Sequence, residues 1–425
     1  MRVRYALPHN KMFDYARELM QRLQGAGFQS YLVGGCVRDL LILRSVHDID
    51  ITTDATPNEL LRIFPDAKKT GLAHGTVTVC RDQYYYEITT FRTDGSYLDG
   101  RHPDFVHFET DLIKDLSRRD FTVNAMALDA EGVLYDPHSG RIDLEQKLIR
   151  AVGNPYLRFT EDGLRVARAF RFAAMLNFTL AEETANALLQ CATNLAHISV
   201  ERRRDEWTKW LLSTTDDICK AFPEIVLKNW LNMDINKNVL MCESYRFITG
   251  YLDRLALLLL ASREIQSSHD ASNKNIFLQT MRYSRKEISE INDLLTIATA
   301  SHVAPPVYLP LEWLPIYRRR GKSGLIRGIL LANVSRISHL DSQITRADLF
   351  QQSENMVTDM LTQSPLHSLR DLDISGNELA TVCQLKNQEI GSALAILYHG
   401  VSKQLVMNQS SDLIAYIRAW KRSRG

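Results

Sequence analysis

The sequence predicts an α+β protein, with a small N-terminal head built on a mixed or antiparallel sheet and an elongated, all-helical remainder. Three observations support this prediction. Strand-like runs alternate with helical stretches as far as Asp136 and Pro137, apolar residues recur at helical spacing beyond residue 150, and no repeat of about 20 to 50 residues is visible. With 425 residues, 45% of them hydrophobic, the chain can bury more than one core, and its length suggests roughly two to four domains.

The head is predicted to begin with a helix over residues 11–24, because its apolar residues fall on one face. These residues are Phe13, Ala16, Met20 and Leu23. The predicted strands lie within residues 30–35, 47–53, 75–80 and 84–92, and two short helices span residues 36–43 and 56–64. Thr56 is the expected N-cap of the second short helix, and Pro57 its first residue.

The chain after the head is divided less clearly. We predict four regions, namely residues 1–150, 151–212, 213–300 and 301–425. Polar stretches at residues 262–275 and 299–310 are candidate junctions within the helical part. His269 and Asp270 have no neighbouring metal-ligand pattern, so we interpret them as loop residues.

Composition restricts the class of protein. The net charge of +1 neither requires nor excludes nucleic acid, so any basic surface must be local. Six cysteines without a C-x-x-C pair indicate neither a zinc site nor a disulfide framework, and they favour a reducing, cytoplasmic setting. The first 20 residues lack the apolar core of a signal peptide, and no apolar run is long enough to suggest a membrane span.

A glycine pair follows the first predicted strand and precedes a helix. Gly34 and Gly35 allow a tight turn and let a phosphate group approach the backbone closely. Arg38, one turn into the helix, can present a fork-shaped donor to the same oxygens. A plain turn is the alternative interpretation of the glycines alone.

Two aspartates lie one residue apart just downstream. If residues 47–53 form a strand, Asp48 and Asp50 share one face and Ile49 points into the core. Paired hard oxygen ligands suit Mg²⁺, and two such ions can assist an in-line phosphoryl displacement. Glu87, on another predicted strand, is the candidate third carboxylate. Solvated strand-edge residues are the alternative for all three acids.

These motifs, taken with others downstream, resemble those of a known superfamily. "GGCVRD" followed by "DID" is similar to the signature of polymerase-beta-type nucleotidyltransferases. "RRDFTVNAMALD" (118–129), "EDGLRVARAFRF" (161–172) and "ISVERRRDEW" (198–207) resemble motifs of the class II tRNA nucleotidyltransferases, which comprise CCA-adding enzymes and bacterial poly(A) polymerases. Residues 371–401 are similar to the C-terminal signature of Bacillus-type CCA-adding enzymes, so the resemblance spans nearly the whole chain.

The resemblance implies roles for the site residues. Gly34, Gly35 and Arg38 would contact the triphosphate, and Asp48 and Asp50 would bind magnesium beside the catalytic Glu87. The residues expected to bind the nucleotide further along the chain are Arg119, Asp162, Arg165, Arg168 and Arg171, the last four along one helix. In order along the chain, the four regions would be a catalytic head, a neck that binds the nucleotide base, a helical body, and a final body and tail region that binds tRNA. ATP and CTP are the expected substrates, with no membrane association and no obligatory protein partner.

The helical pair Asp162 and Arg165 suggests how protein could replace a template. An acceptor beside a donor complements the amino group and ring nitrogen that both cytosine and adenine present. Guanine and uracil present the reverse pattern and would leave polar groups unpaired. An ordinary salt-bridged helix face is the alternative.

Other segments bear on substrate choice. A loop at residues 93–108, with Asp99, Arg101 and Pro103, resembles the element that supports the switch from C to A addition. Basic clusters at residues 201–206, 317–327 and 418–425 are candidates for phosphate contacts with RNA, although each could be a solvated surface.

Two residues depart from the family pattern. Leu43 occupies the place where a glycine usually precedes the aspartate pair, beside Arg44, and Gly163 replaces a common alanine or proline. Neither change removes a catalytic group. The resemblance implies that the function is CCA addition to tRNA. The alternatives are A-only addition or poly(A) synthesis and, from another class, a catalytically idle RNA-binding protein.

Overall fold

The structure is a computed structural model that describes residues 3–95, 106–213, 224–231, 247–261, 271–303, 306–336 and 345–422. The chain divides into two units, Met1–Lys237 and Asn238–Gly425. The predicted division into four regions stays a prediction. Asp99, Arg101, Pro103, His269 and Asp270 lie outside the described residues.

The first unit contains both helices and strands, as predicted for the head. Its helices are α1 Lys11–Gly25, α2 Gly35–Leu41, α3 Pro57–Ile63, α4 Leu112–Ser117, α5 Gly140–Glu145, α6 Pro155–Glu161, α7 Leu164–Leu176, α8 Glu182–Gln190, α9 Val200–Ser213 and α10 Glu224–Leu231. Its strands are β1 Ser30–Val33, β2 Ile49–Thr53, β3 Lys68–Gly71, β4 Thr76–Arg81, β5 Tyr84–Thr90, β6 Arg92–Asp94, β7 Val106–Phe108, β8 Ala127–Leu128, β9 Leu134–Tyr135, β10 Leu148–Ile149 and β11 Thr179–Leu180.

A mixed sheet organises this unit. Among the described residues it has seven strands in the order β3-β4-β5-β2-β1-β8-β9. Strands β2 and β5 run parallel, whereas the other neighbouring pairs are antiparallel. The register places Asp50 between Val33 of β1 and Glu87 of β5. The predicted α+β class is confirmed, and the sheet brings two of the predicted acids side by side.

Strand β2 begins one residue later than the aspartate pair requires. Asp48 precedes the strand, which starts at Ile49. Strand β1 ends at Val33, opposite Asp50, and the pairing with β5 begins at Ile49, opposite Tyr86, so Asp48 has no register partner in either neighbouring strand. The prediction that both aspartates occupy one strand is therefore wrong: Asp50 is fixed by pairing, and Asp48 leads into the strand.

Local sequence explains the helices next to this sheet. Helix α1 buries Phe13, Ala16, Met20 and Leu23 as predicted, and Leu19 as well. Thr56 precedes Pro57 at the start of α3, where the carboxylate of Glu59 accepts hydrogen bonds from the Thr56 backbone N–H and hydroxyl at 2.8 and 2.7 Å. This reciprocal cap satisfies donors that a helix start leaves unpaired.

The turn between α2 and β2 has a residue in a glycine-like conformation. Leu43 has φ of 56° and its side chain is 94% exposed. The Leu43 N–H donates to the Leu40 carbonyl, and the Arg44 N–H donates to the Asp39 carbonyl. These two bonds define a Schellman motif, which places Leu43 where glycine is usual. The departure from the family pattern therefore keeps the turn, at the expense of a strained leucine.

The second unit is helical in its described residues. Its helices are α11 Tyr251–Ala261, α12 Ala271–Thr280, α13 Arg285–Val303, α14 Leu314–Arg336, α15 Arg346–Gln363, α16 Gly376–Cys383, α17 Asn387–Ser402 and α18 Ser410–Arg422. Helix α14 is kinked at Gly321, whose φ of 65° and ψ of −166° are not helical, so Arg319 and Arg320 precede the kink and Arg327 follows it. Helices α12 and α13 extend into the two predicted junctions, so residues 271–275 and 299–303 of these stretches are helical. No described helix combines the length and apolar character that crossing a membrane requires.

Candidate active site

The site is centred on the turn at Gly34. This residue has φ of 74° and ψ of −133°, which only glycine adopts easily. A Cβ atom there would lie 3.4 Å from Nη1 of Arg119 and 3.6 Å from Oδ2 of Asp50. Gly34 therefore brings a basic and an acidic side chain, far apart in sequence, to the same backbone position.

Three carboxylates cluster beside this turn. Asp50 and Glu87 are direct neighbours across β2 and β5, so their side chains share one face of the sheet. Burial raises the pKa of Asp50 to about 6, the negative charges of Asp48 and Glu87 add to the effect, and Arg119 partly opposes it. Burial and the two neighbouring carboxylates therefore disfavour the charged form of Asp50 more than Arg119 favours it.

The chemistry of these groups fits a divalent cation. A cation would relieve the repulsion among carboxylates whose oxygens are the ligands that magnesium prefers. Within the described part of the chain, no three His, Cys, Asp or Glu side chains converge closely enough to enclose a metal alone. A metal on Asp48 and Asp50 would therefore need further ligands, such as substrate phosphates or water.

Arg119 is held in place by a buried acid that the sequence analysis missed. Asp115, on α4, is fully buried and accepts bonds from Arg118 and Arg119 at 2.9 and 3.1 Å. Burial alone would raise its pKa, but the two guanidinium groups hold the pKa of Asp115 below its usual range. The Nε of Arg119 is buried without an acceptor in the described structure, and its Nη1 is the atom that lies beside the Gly34 turn.

Arg38 lies behind the glycine turn. It is 4% exposed and donates to both carboxylate oxygens of Asp39, at 2.9 and 2.8 Å. Its Nη1 donates to Oδ1 of Asn124 at 2.7 Å, and its Nη2 lies 3.7 Å from the Cβ position of Gly35. Arg38 is thus a buried side chain next to Gly35 whose hydrogen bonds go to Asp39 and Asn124.

The predicted base-reading residues do not form one continuous helix. Asp162 has φ of −138° and ψ of 105°, and it lies in the break between α6 and α7. The placement of Asp162 on the same helix as Arg165 is therefore wrong. The next residue, Gly163, has helical φ and ψ of −57° and −22°, and a Cβ there would lie 2.8 Å from the backbone oxygen of Asn194. The close approach explains why glycine is required there.

Asp162 nevertheless has a defined orientation. Its Oδ1 accepts the Leu164 N–H at 2.9 Å, which starts helix α7. Its Oδ2 accepts a bond from Arg202 at 2.9 Å, and Nη1 of Arg202 is buried without an acceptor in the described structure. Arg202 is a second site residue that the sequence analysis placed only in a basic cluster.

The three arginines of α7 each have an acidic partner. Arg165 pairs with Glu161 and also donates to the carbonyls of Arg158 and Arg118. Arg168 donates to Asp120 at 2.7 Å, and Arg171 pairs with buried Glu206 of α9. Although burial would raise it, the pKa of Asp120 is lowered to about 2, chiefly by the charge of Arg168.

Spacing alone could have suggested some of the missed residues. Asp115 precedes Arg119 by one helical turn, a common ion-pair spacing. Asn124 and Glu206 carry no comparable signal, because their partners Arg38 and Arg171 are distant in sequence. The predicted roles of all the site residues remain predictions.

Comparisons with known proteins agree with this geometry. Residues 30–150 match the family described as the poly A polymerase head domain, and residues 177–215 match the probable RNA and SrmB-binding site of polymerase A. The chain is 34% identical over 417 residues to a CCA-adding enzyme of Bacillus velezensis, covering 96% of this chain and 98% of that protein. It is 31% identical over 423 residues to the CCA-adding enzyme of Bacillus subtilis, covering 98% and 99%.

The fold is shared with solved structures. The fold is similar to that of the Bacillus stearothermophilus CCA-adding enzyme in complex with CTP, with a TM-score of 0.77, 28% identity, and coverage of 98% of this chain and 99% of the other. The Thermotoga maritima CCA-adding enzyme complexed with tRNA shares the fold, with a TM-score of 0.61, 19% identity and coverage of 97% and 96%.

Proposed function

Because this chain belongs to the family of CCA-adding enzymes, we propose that it is a template-independent tRNA nucleotidyltransferase that adds C, C and A to the tRNA 3′ end from CTP and ATP. The convergence of Asp50 and Arg119 at Gly34 is the observation that carries the proposal. It unites an acid that can bind a metal, a donor for phosphate oxygens, and a backbone that a ligand can approach closely.

Nucleotidyltransferases of this family use divalent metal ions, and we propose Mg²⁺ here. Asp48 and Asp50 would hold it. When bound, the ion lowers the pKa of the RNA 3′-hydroxyl and neutralises charge at the α-phosphate during attack and pyrophosphate release. Glu87, next to Asp50 across the sheet, would add negative charge on the same face and favour the bound cation.

The triphosphate would lie at the glycine turn. The backbone of Gly34 and Gly35 allows close approach, and Nη1 of Arg119, beside the turn, would donate to a phosphate oxygen. Arg38 would add positive charge directly behind the turn. These groups position the substrate and stabilise developing charge, which are the main contributions to phosphoryl transfer.

Asp162 and Arg165 would select the base. An aspartate acceptor and an arginine donor complement the shared edge of cytosine and adenine, and a well-formed pair discriminates by about 1–3 kcal/mol. Two neighbours support the required geometry. Arg202 orients Asp162, and Glu161 orients Arg165, so neither side chain depends on the nucleotide for its placement. Arg168 and Arg171 would add positive charge along the same helix.

Few of the basic residues nominated as RNA contacts are free to bind phosphate. In residues 201–206, Arg202 bonds Asp162 and Arg203 donates to the Trp230 carbonyl. At the C-terminus, Lys421 donates to the carbonyls of Cys383 and Gln384. We propose that RNA contacts in the second unit involve Arg318 and Arg370, whose exposed guanidinium groups have no ion-pair partner among the described residues.

Product analysis tests the function. Purified protein would be incubated with Mg²⁺ and a tRNA ending at the discriminator base, or already ending in CC, with CTP and ATP supplied separately and together. We expect two cytidines from CTP on the first substrate and one adenosine on the second. Addition of adenosine alone, or of many adenosines to unrelated RNA, would contradict CCA addition; no extension at all would favour an idle RNA-binding protein. The substrates also make the cytoplasm the proposed location.

A further inference from the structure

Phe172 lies where three arginines of the site meet. Its ring is 5% exposed, and the Cζ atoms of Arg171, Arg168 and Arg38 lie 4.1, 5.1 and 5.3 Å from the ring centroid. These distances fall within the range of cation–π attraction, in which the electron-rich face of a ring attracts a guanidinium group. One buried ring therefore interacts with three like charges.

The three arginines come from two parts of the site. Arg38 belongs to α2, directly behind the glycine turn, whereas Arg168 and Arg171 belong to α7, the helix that Arg165 shares. Phe172 is therefore a common contact of the predicted triphosphate turn and the predicted base-reading helix.

A chain of polar contacts runs around the ring. Arg38 donates to Asn124 at 2.7 Å, and the Asn124 amide donates to Asp120 at 3.2 Å. Asp120 accepts from Arg168, which also lies 3.7 Å from the Glu206 carboxylate that pairs with Arg171. The acids neutralise charge pair by pair, and the aromatic face provides the contact that all three guanidinium groups share.

We propose that Phe172 is a positioning residue for nucleotide binding, whose ring fixes Arg38 behind the triphosphate turn relative to Arg168 and Arg171 on the base-reading helix. This inference rests on the proposed function. Phe172 touches neither substrate nor metal in this scheme, and it acts through the arginines. Loss of its aromatic face therefore weakens binding of CTP and ATP alike and leaves the rate of the bound complex nearly unchanged.

The test compares variants that separate the aromatic face from packing volume. Phe172→Leu removes the ring face and retains apolar bulk, Phe172→Tyr keeps the face, and Phe13→Leu changes an equally buried ring in the core of α1. We expect Phe172→Leu to raise KM for CTP and ATP about tenfold with kcat within twofold, in line with the loss of uniform binding. We expect Phe172→Tyr to keep the KM of the parent protein, and Phe13→Leu to lower stability without changing KM.

A second measurement applies even if Phe172→Leu does not fold. Site-specific incorporation of difluoro- and trifluorophenylalanine at position 172 withdraws electron density from the ring at nearly constant volume. We expect KM and the Kd for CTP, measured by calorimetry without tRNA, to rise stepwise with fluorination. An unchanged Kd across this series would overturn the proposal, as would a Phe172→Leu variant that loses stability but keeps its KM. If the unmodified protein binds CTP but adds nothing to tRNA, the proposed function fails, and the calorimetric series still tests the role of Phe172.

Discussion

Two helices of the molecule are rich in arginine, and they use it differently. Helix α7 carries Arg165, Arg168 and Arg171, whose partners include Asp120 of the Arg-Arg-Asp motif and Glu206 of α9. Helix α14 in the second unit carries Arg319, Arg320 and Arg327. Their partners are Asp293 and Glu290 of α13 and Asp253 of α11, so these ion pairs connect packed helices.

Because these two arginine-rich sequences have different kinds of partner, residue type and spacing do not by themselves define a binding surface. The cluster at residues 317–327 has the composition of a phosphate-binding patch, yet three of its arginines are bonded to acids inside the second unit. Arg318 and Arg319 both line a cleft of about 920 Å³ with Arg370, but Arg319 is bonded to Asp293. Acids near α7 should therefore affect nucleotide chemistry, whereas those near α14 should affect stability.

The largest effect on activity should come from substitution of Asp50, the acid beside Gly34. Asp50→Asn should reduce nucleotide addition at least about 10³-fold, because it removes a ligand for the charge-neutralising cation. Stability should not fall, since the change removes one of three mutually repelling carboxylates. Addition kinetics with saturating Mg²⁺ and thermal unfolding measure both. The matched control is Asp66→Asn, an exposed acid paired with Arg81 in the same unit. Retention of more than a tenth of the activity would contradict the assignment.

A comparison of two buried acids addresses the contrast directly. Asp120→Asn should lower the free energy of unfolding by about 2 kcal/mol at pH 7, because its folded pKa of about 2 lies below the unfolded value near 3.9. A depressed folded pKa stabilises the protein above the unfolded pKa, so the difference between the parent and the variant should shrink as the pH falls from about 4 to 2. Urea unfolding at several pH values measures it.

The partner variant is Asp293→Asn, which removes the acid between Arg319 and Arg320. It should also lower stability, but KM for CTP should remain at the parent value, whereas Asp120→Asn should raise it. If Asp120→Asn and Asp293→Asn change KM for CTP equally, α7 and α14 do not differ in their effect on nucleotide binding.

The exposed arginines of the second unit should produce a smaller effect. The double variant Arg318→Ala, Arg370→Ala should weaken tRNA binding about tenfold, and the slope of log affinity against log salt should fall by about 0.9 for each phosphate that is no longer neutralised. KM for CTP should not change. Filter binding over a range of salt concentrations measures the slope, and Arg285→Ala, an exposed arginine elsewhere in this unit, is the control. An unchanged slope would remove this cleft from the RNA surface.

The smallest effect, on stability, concerns Leu43 in the turn between α2 and β2. Leu43→Gly should raise the free energy of unfolding by about 0.5–1 kcal/mol, because relief of left-handed strain exceeds the added chain entropy of glycine. Leu43→Ala is the control, since alanine retains the strain and the exposed leucine side chain contributes little packing. Chemical denaturation measures both; a gain from alanine equal to that from glycine would exclude strain as the cause.

Much of the head could be predicted because its signals are local. The apolar face of α1, the cap at Thr56 and the glycine turn each depend on residues within a few positions of one another. Asp48 and Asp162 were placed less accurately. Both placements involve residues distant in sequence: β2 begins where Ile49 pairs with Tyr86 of β5, and the extended Asp162 accepts a bond from Arg202 of α9.

By itself, the sequence determined the class of fold, the glycine turn, the acids near it and the arginines of α7, because residue type and short-range spacing specify these features. The tertiary structure determines which arginines lie beside the predicted nucleotide site and which form ion pairs between packed helices. That choice depends on contacts such as Asn124 with Arg38, Glu206 with Arg171, and Asp293 with Arg319, which join residues far apart in the chain. Burial makes an unpaired charge costly, so buried Arg171 is held by Glu206, an acid that only the fold brings beside it.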